Sequence, residues 1–159
     1  GPVPIIFYLG YAFNKTIMSF QDAMKFEGQY IKRIQKELKT PIILHNCGMK
    51  PYFKEICAEI DFLAINGSNP PDINYWIEFK KQFPKVTIMG ANIDVSRELF
   101  TGTPADVEEK VKENILNLAP GGRYMVSPIC ELPFNVPLPN VLAIPQAIEK
   151  YGHYPIQQS

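Results

Sequence analysis

Pro41-Ile42-Ile43-Leu44-His45-Asn46-Cys47-Gly48 runs from a helix stop through three apolar residues into an imidazole, a thiol and a glycine. The apolar triplet does not alternate with polar residues, so neither face of the strand it forms meets water. Strands of that kind belong to parallel sheets whose faces are covered. The two soft ligands that follow are spaced by two, and side chains two apart on a strand point the same way.

The same unit recurs on both sides. Val3–Leu9 (VPIIFYL) reads as a buried strand. From about Ser19 to Leu38, apolar residues at helical spacing (Phe20, Met24, Tyr30, Ile31, Ile34, Leu38) face away from charges. Tyr52–Glu59 reads as a short helix, Asp61–Ile65 as a strand ending in the 66–71 loop, Ile73–Phe83 as a helix and Val86–Met89 as a strand. Thr103-Pro104-Ala105-Asp106 combines an N-cap, proline at the first helical position and an acid at the third, starting a helix to about Leu118. Gly121-Gly122 breaks it, Arg123–Ile129 is the last strand, and a helix from about Asn140 to Tyr151 ends at Gly152. About five apolar strands alternating with amphipathic helices make an α/β chain with a parallel sheet and outer helices. A full (β/α)8 barrel takes roughly 200 residues or more, so 159 residues correspond to a single domain holding about five-eighths of one.

Sixteen basic residues balance sixteen acidic ones, which gives no footprint for nucleic acid or an anionic membrane. No apolar run reaches the length of a membrane span and no signal pattern opens the chain, so a cytoplasmic location is the expectation. Gly1-Pro2 has the form of a protease scar, and without an initiator Met the chain is expected to begin part-way through a longer protein. Three cysteines, an odd number, argue for reduced thiols over a disulfide framework.

His45 and Cys47 leave one strand, and Cys130 follows the last strand at the equivalent end. In parallel βα folds all strand C-termini share one mouth, where ligands bind. One imidazole and two thiolates suit zinc, and three protein ligands leave the fourth tetrahedral position open. Two thiolates cancel the metal's charge, so a substrate thiol bound there would stay electron-rich, which favours alkylation of sulfur over activation of water. Taken singly, each cysteine is more often a core residue, and His45 could be an interior hydrogen-bonded histidine. Cys57, beside Ile56 in a helix, reads as core, and His153 as surface.

Leu44-His45-Asn46-Cys47-Gly48 resembles the LHxCG motif of the methylcobamide:coenzyme M methyltransferases, within the uroporphyrinogen decarboxylase superfamily. Further matches follow in order. Gly90-Ala91-Asn92-Ile93-Asp94 is similar to a GN-x-D turn, Thr101-Gly102-Thr103-Pro104 with Val107 to GTP-x-x-V, and Ser127-Pro128-Ile129-Cys130 to SPGC. Pro139-Asn140 with Lys150-Tyr151-Gly152 resembles the closing helix, and Phe7–Ala12 occupies the place of an FDxxA segment. Ala91, Ile129 and the missing acid near Tyr8 depart from those patterns. The resemblance covers nearly the whole chain and corresponds to the C-terminal half to two-thirds of such a protein.

It implies a TIM barrel, with His45, Cys47 and Cys130 as the three zinc ligands. It also implies transfer of a methyl group from a methylated corrinoid, on a separate carrier protein, to a thiol such as coenzyme M. Asn92 and Asp94, just past a strand end, are candidate substrate contacts, or a turn that caps the next segment. Asp72 or Glu131 is a candidate occasional fourth ligand. Part of a barrel leaves strand edges unpaired, so a homodimer, a rearrangement or poor solubility is expected. Three other readings stand beside this one. They are a metal-free tetrapyrrole decarboxylase, a non-catalytic truncated domain, and a zinc deaminase, whose H-x-E and P-C-x-x-C are missing here.

Overall fold

The computed structural model of the chain describes residues 5–67 and 70–156. Five strands form one sheet in the order β1-β2-β3-β4-β5, every neighbouring pair parallel. They are β1 (Ile6–Leu9), β2 (Ile42–Asn46), β3 (Ala64–Gly67), β4 (Thr87–Met89) and β5 (Tyr124–Met125). Sequential order with parallel pairing means that each connection crosses back outside the sheet, as in a winding barrel.

The crossovers carry the helices. Ser19 accepts the Asp22 amide and caps α1 (Phe20–Ala23), which continues through a π-helical turn, Met24–Gly28, into α2 (Gln29–Leu38). Lys39 in the left-handed region ends that run. Then come α3 (Phe53–Glu59), α4 (Ile73–Gln82), α5 (Pro104–Leu118) and α6 (Leu138–Tyr151). Thr103 and Asp106 form a reciprocal capping box at the start of α5. No helix among the described residues is long and apolar enough to cross a membrane.

One apolar cluster lies between the sheet and its outer helices, with Ile31, Ile42, Leu44, Ile56, Ile65, Trp76, Phe79 and Ile88 fully buried. A second joins α5 to α6 through Val107, Val111, Ile115, Ala143 and Ala147, and Tyr124 packs against both. Lys80 from α4 ties the end of α5 to β5: its ammonium donates to the carbonyls of Leu118, Pro120 and Gly122.

Three sequence expectations are corrected. The first strand, expected buried from Val3, has Val3 and Pro4 outside the described residues; its described part alternates, with Ile6 and Tyr8 toward the core and Phe7 and Leu9 about half exposed. Among the described residues it is an edge strand, paired with β2 alone. Asn66 and Gly67, expected in a loop, complete β3 because they pair with His45/Asn46 of β2. The last strand, expected over Arg123–Ile129, is confined to Tyr124–Met125. Its partner β4 is only three residues long, and beyond it Ser127 and Pro128 turn across the strand ends.

Candidate metal centre

His45 is the fourth residue of β2, and its pairing with Leu9 and Asn66 sets its height at the C-terminal rim. Cys47 lies one residue beyond that strand. The intervening Asn46 turns to the other side and is fully buried. Its amide nitrogen donates to the carbonyls of Gly10 (2.7 Å) and Phe13 (3.0 Å), while its oxygen accepts the Gly48 amide (2.8 Å). Glycine is required at 48, because a β-carbon there would lie 1.3 Å from the Asn14 side-chain nitrogen. Asn46 and Gly48 therefore fix the path of the chain on both sides of Cys47.

Cys130 arrives from the other end of the sheet, on the segment that follows β5. The Ile129 amide donates to the Ile93 carbonyl (3.2 Å) and anchors that segment. The Cys130 sulfur then stands 3.9 Å from His45 Nε2. The donor atoms of His45, Cys47 and Cys130 all lie within 4.8 Å of one another, a cluster able to hold one metal ion. Around a tetrahedral zinc, ordinary bond lengths put sulfur roughly 3.5 Å from nitrogen and roughly 3.8 Å from sulfur. An ion bound there would draw His45 Nε2 and the Cys130 sulfur together by about 0.4 Å, and the other donors by about 1.3 Å at most.

The imidazole is oriented by Asn66, a residue that the sequence reading did not single out. Asn66 Oδ1 lies 2.6 Å from His45 Nδ1. Its Nδ2 faces only acceptors, namely the carbonyls of Met89 (3.0 Å) and Pro128 (3.2 Å) and the Ser127 hydroxyl (3.4 Å). The amide thus cannot be reversed, its oxygen must face the ring, and Nδ1 must donate. In the neutral ring this puts the lone pair on Nε2, toward Cys130. Asn66 also bridges the β2 imidazole to the segment carrying Cys130. Phe7 stacks on the His45 ring at 5.9 Å and 28°. Burial pushes the Cys47 thiol above its ordinary value; the neighbouring Cys130 pushes it further by charge and hydrogen bonding, and the Glu131 charge adds to the same direction.

A cleft of about 310 Å³ opens beside the three donors, walled by Phe7, Leu9, Tyr11, Asn66 and Glu131. Other candidates lie elsewhere. Asp94 accepts the amides of Ser96 (2.7 Å) and Arg97 (2.9 Å), capping the π-helical turn Arg97–Thr101. Asn92 is buried and donates to the Pro71 carbonyl (3.2 Å). Neither lines this cleft. Asp72 caps α4 by accepting the Asn74 amide and is not at the cluster; of the two suggested fourth ligands, only Glu131 borders the cleft. Cys57 sits in α3, packed against the core, where burial pushes its thiol up to about 12. His153 is exposed beyond α6.

The uroporphyrinogen decarboxylase (URO-D) family profile matches residues 5–151. The chain belongs to the uroporphyrinogen decarboxylase family. Five parallel strands wrapped by outer helices are, in that family, part of a TIM-type barrel sheet. Among solved structures, a methyltransferase from Methanosarcina mazei matches with a TM-score of 0.72 at 18% sequence identity, a likeness of fold. The match covers 94% of this chain and 42% of that one, so the chain spans less than half of this neighbour's length. That is shorter than the half to two-thirds expected from the motifs. No curated protein matches the sequence.

Proposed function

We propose that this uroporphyrinogen decarboxylase family chain is the zinc-binding part of a methyltransferase that moves a methyl group from a methylated corrinoid to the sulfur of a small thiol. The observation that carries the reading is the meeting of His45 Nε2 with two cysteine sulfurs at the mouth of the sheet, with the imidazole locked in the ligating tautomer. Zinc held by these donors would supply a Lewis acid at which a thiol loses its proton near neutral pH. The fold neighbour's name is of the same reaction class.

The protein's own groups have definable tasks. Asn66 holds the Nδ1 side of the ring and aims Nε2 at the cluster. Asn46 and Gly48 set the height of Cys47. Phe7 and Leu9 give the cleft an apolar wall that limits water around the nucleophile. The open side of the cleft leaves room for a methyl donor to approach, and a corrinoid on a small carrier protein is the donor this reading calls for. Such a donor would supply an electrophilic methyl group: forming the sulfur–carbon bond would break the donor's cobalt–carbon bond, with both of its electrons left on the donor. Coenzyme M is the acceptor in the methyltransferases whose motifs this chain resembles. A metal-free decarboxylase would have no use for two thiols grouped with an oriented imidazole.

The reading is tested with zinc-loaded protein, methylcobalamin as donor and a small thiol as acceptor, following the loss of methylcobalamin by absorbance. Demethylation should depend on both zinc and thiol, and Cys130→Ser should lower it by about 100-fold or more. Transfer that persists undiminished in Cys47→Ser/Cys130→Ser would contradict the proposal.

A further inference from the structure

The cleft carries, in its described lining, a negative group and aromatic faces beside the three donors. Its described lining contains no lysine and no arginine, and its single charged side chain is Glu131. No ion pair neutralises Glu131 among the described residues. Two aromatic rings, Phe7 and Tyr11, share the lining, 52% and 57% exposed. Aromatic faces present negative potential, so they attract cations and repel anions. The charge count points the same way. A dication with two thiolates is neutral, and a substrate thiolate brings the centre to one negative charge. Glu131 adds a second, and a sulfonate or carboxylate tail on the substrate would add a third.

Resting on the thiol-binding reading above, we propose that the thiol accepted by this cleft carries a positively charged ammonium group, with Glu131, Phe7 and Tyr11 selecting against thiols with an anionic tail. A thiol and an ammonium separated by two carbons are short enough to place sulfur at the three donors and the cation beside the carboxylate and the rings. The inference concerns the substrate class alone. The metal and the methyl-transfer chemistry stand whether or not it holds.

Two acceptors of the same length and of fixed, opposite charge separate the cases: thiocholine and 2-mercaptoethanesulfonate. Neither has an amine that can ligate a metal, and because the tails also change the acidity of the thiol itself, the part of the preference that Glu131→Gln removes is what reports the walls. The full chain is loaded with cobalt(II), and each thiol is titrated while the sulfur-to-cobalt charge-transfer absorbance is followed as a further sulfur joins. Thiocholine should bind roughly tenfold tighter, from an exposed carboxylate acting with opposite sign on the two tails together with the aromatic faces. In Glu131→Gln that ratio should shrink by about fivefold. Equal or tighter binding of the sulfonate overturns the proposal while leaving the metal centre in place. A preference for thiocholine that Glu131→Gln leaves unchanged also overturns it, because the selectivity would not come from this wall. A chain that takes up no cobalt removes this inference together with the reading on which it rests.

Discussion

Replacing Asn66 with leucine tests the site at its structural hinge. Asn66 is 5% exposed and makes one contact to His45 Nδ1, at 2.6 Å, and three to acceptors on the far side. Leucine of similar volume keeps the packing but removes all four. The His45 ring then loses the acceptor that fixes its tautomer, and the Cys130 segment loses its tie to β3. Partners of this kind are worth roughly 10- to 100-fold in metal affinity, about 1.4–2.7 kcal/mol. The carbonyls of Met89 and Pro128 also lose a donor, which adds about 1–3 kcal/mol of destabilisation, or roughly 3–10 °C in Tm for a chain of this size. The assay is competition for zinc against a chromogenic chelator, run beside thermal melts by circular dichroism. Asn66→Asp serves as the control. It keeps an acceptor for Nδ1 but turns a second oxygen toward two carbonyls, so its zinc affinity should exceed that of Asn66→Leu while its Tm stays below wild type. If Asn66→Leu holds zinc within about twofold of wild type, the argument from tautomer and tether is wrong.

Three more outcomes are expected. With its thiol pushed up to about 12 by burial, Cys57 should have a thiolate fraction near ~10⁻⁴ at pH 8, so iodoacetamide should label it only after unfolding, as peptide mass spectrometry would show. Hydrogen bonds from Lys150 and then Tyr151 hold the Glu108 carboxyl below the usual range; its stabilising contribution is therefore complete above the unfolded carboxylate value and is lost as pH falls through the lower folded one. The Tm of wild type should accordingly drop more between pH 6 and pH 3 than that of Glu108→Gln. Met125 leaves about half its surface open outside the cleft, and among the described residues β1 and β5 are each paired along one edge only, so a second copy should associate there. Sedimentation velocity should show a dimer that Met125→Asp shifts toward monomer; an unchanged sedimentation coefficient would place the association elsewhere.

The parallel sheet was legible because its signal is local. Ile42–Leu44 is apolar without alternation, and each following strand is bounded by a proline, a glycine or a cap that acts on the adjacent backbone. The Thr103/Asp106 box is wholly contained in four residues and formed as read. Features set by distant partners were not legible. Nothing local says that Asn66 completes a strand; its pairing with His45 does. Nothing in Arg123–Ile129 says that only two residues pair, because the limit comes from the shortness of β4. The π-helical turns at Met24–Gly28 and Arg97–Thr101 likewise leave no periodic mark that distinguishes five residues from an ordinary helical turn.

The three clustered donors were named from strand ends alone, because a parallel sheet brings every C-terminal end to one mouth. Their support was hidden. Asn46 reads as the variable position of a motif, yet it is the residue that spaces His45 from Cys47 by bonding back to Gly10 and Phe13. Asn92 and Asp94 were chosen for their place past a strand end, yet Asp94 accepts amides of its own turn while Asn92 donates across to the Pro71 carbonyl. A short polar residue after a strand satisfies local amides more often than it meets a substrate, and only the hydrogen-bond partners separate the two.

Zinc K-edge X-ray absorption on the purified chain, before and after addition of a small thiol, addresses the central claim most directly. The account predicts one nitrogen from imidazole and two sulfurs at about 2.3 Å in the first state, and three sulfurs once the thiol is added. A coordination shell without two sulfurs, or one that stays the same on adding thiol, would contradict it.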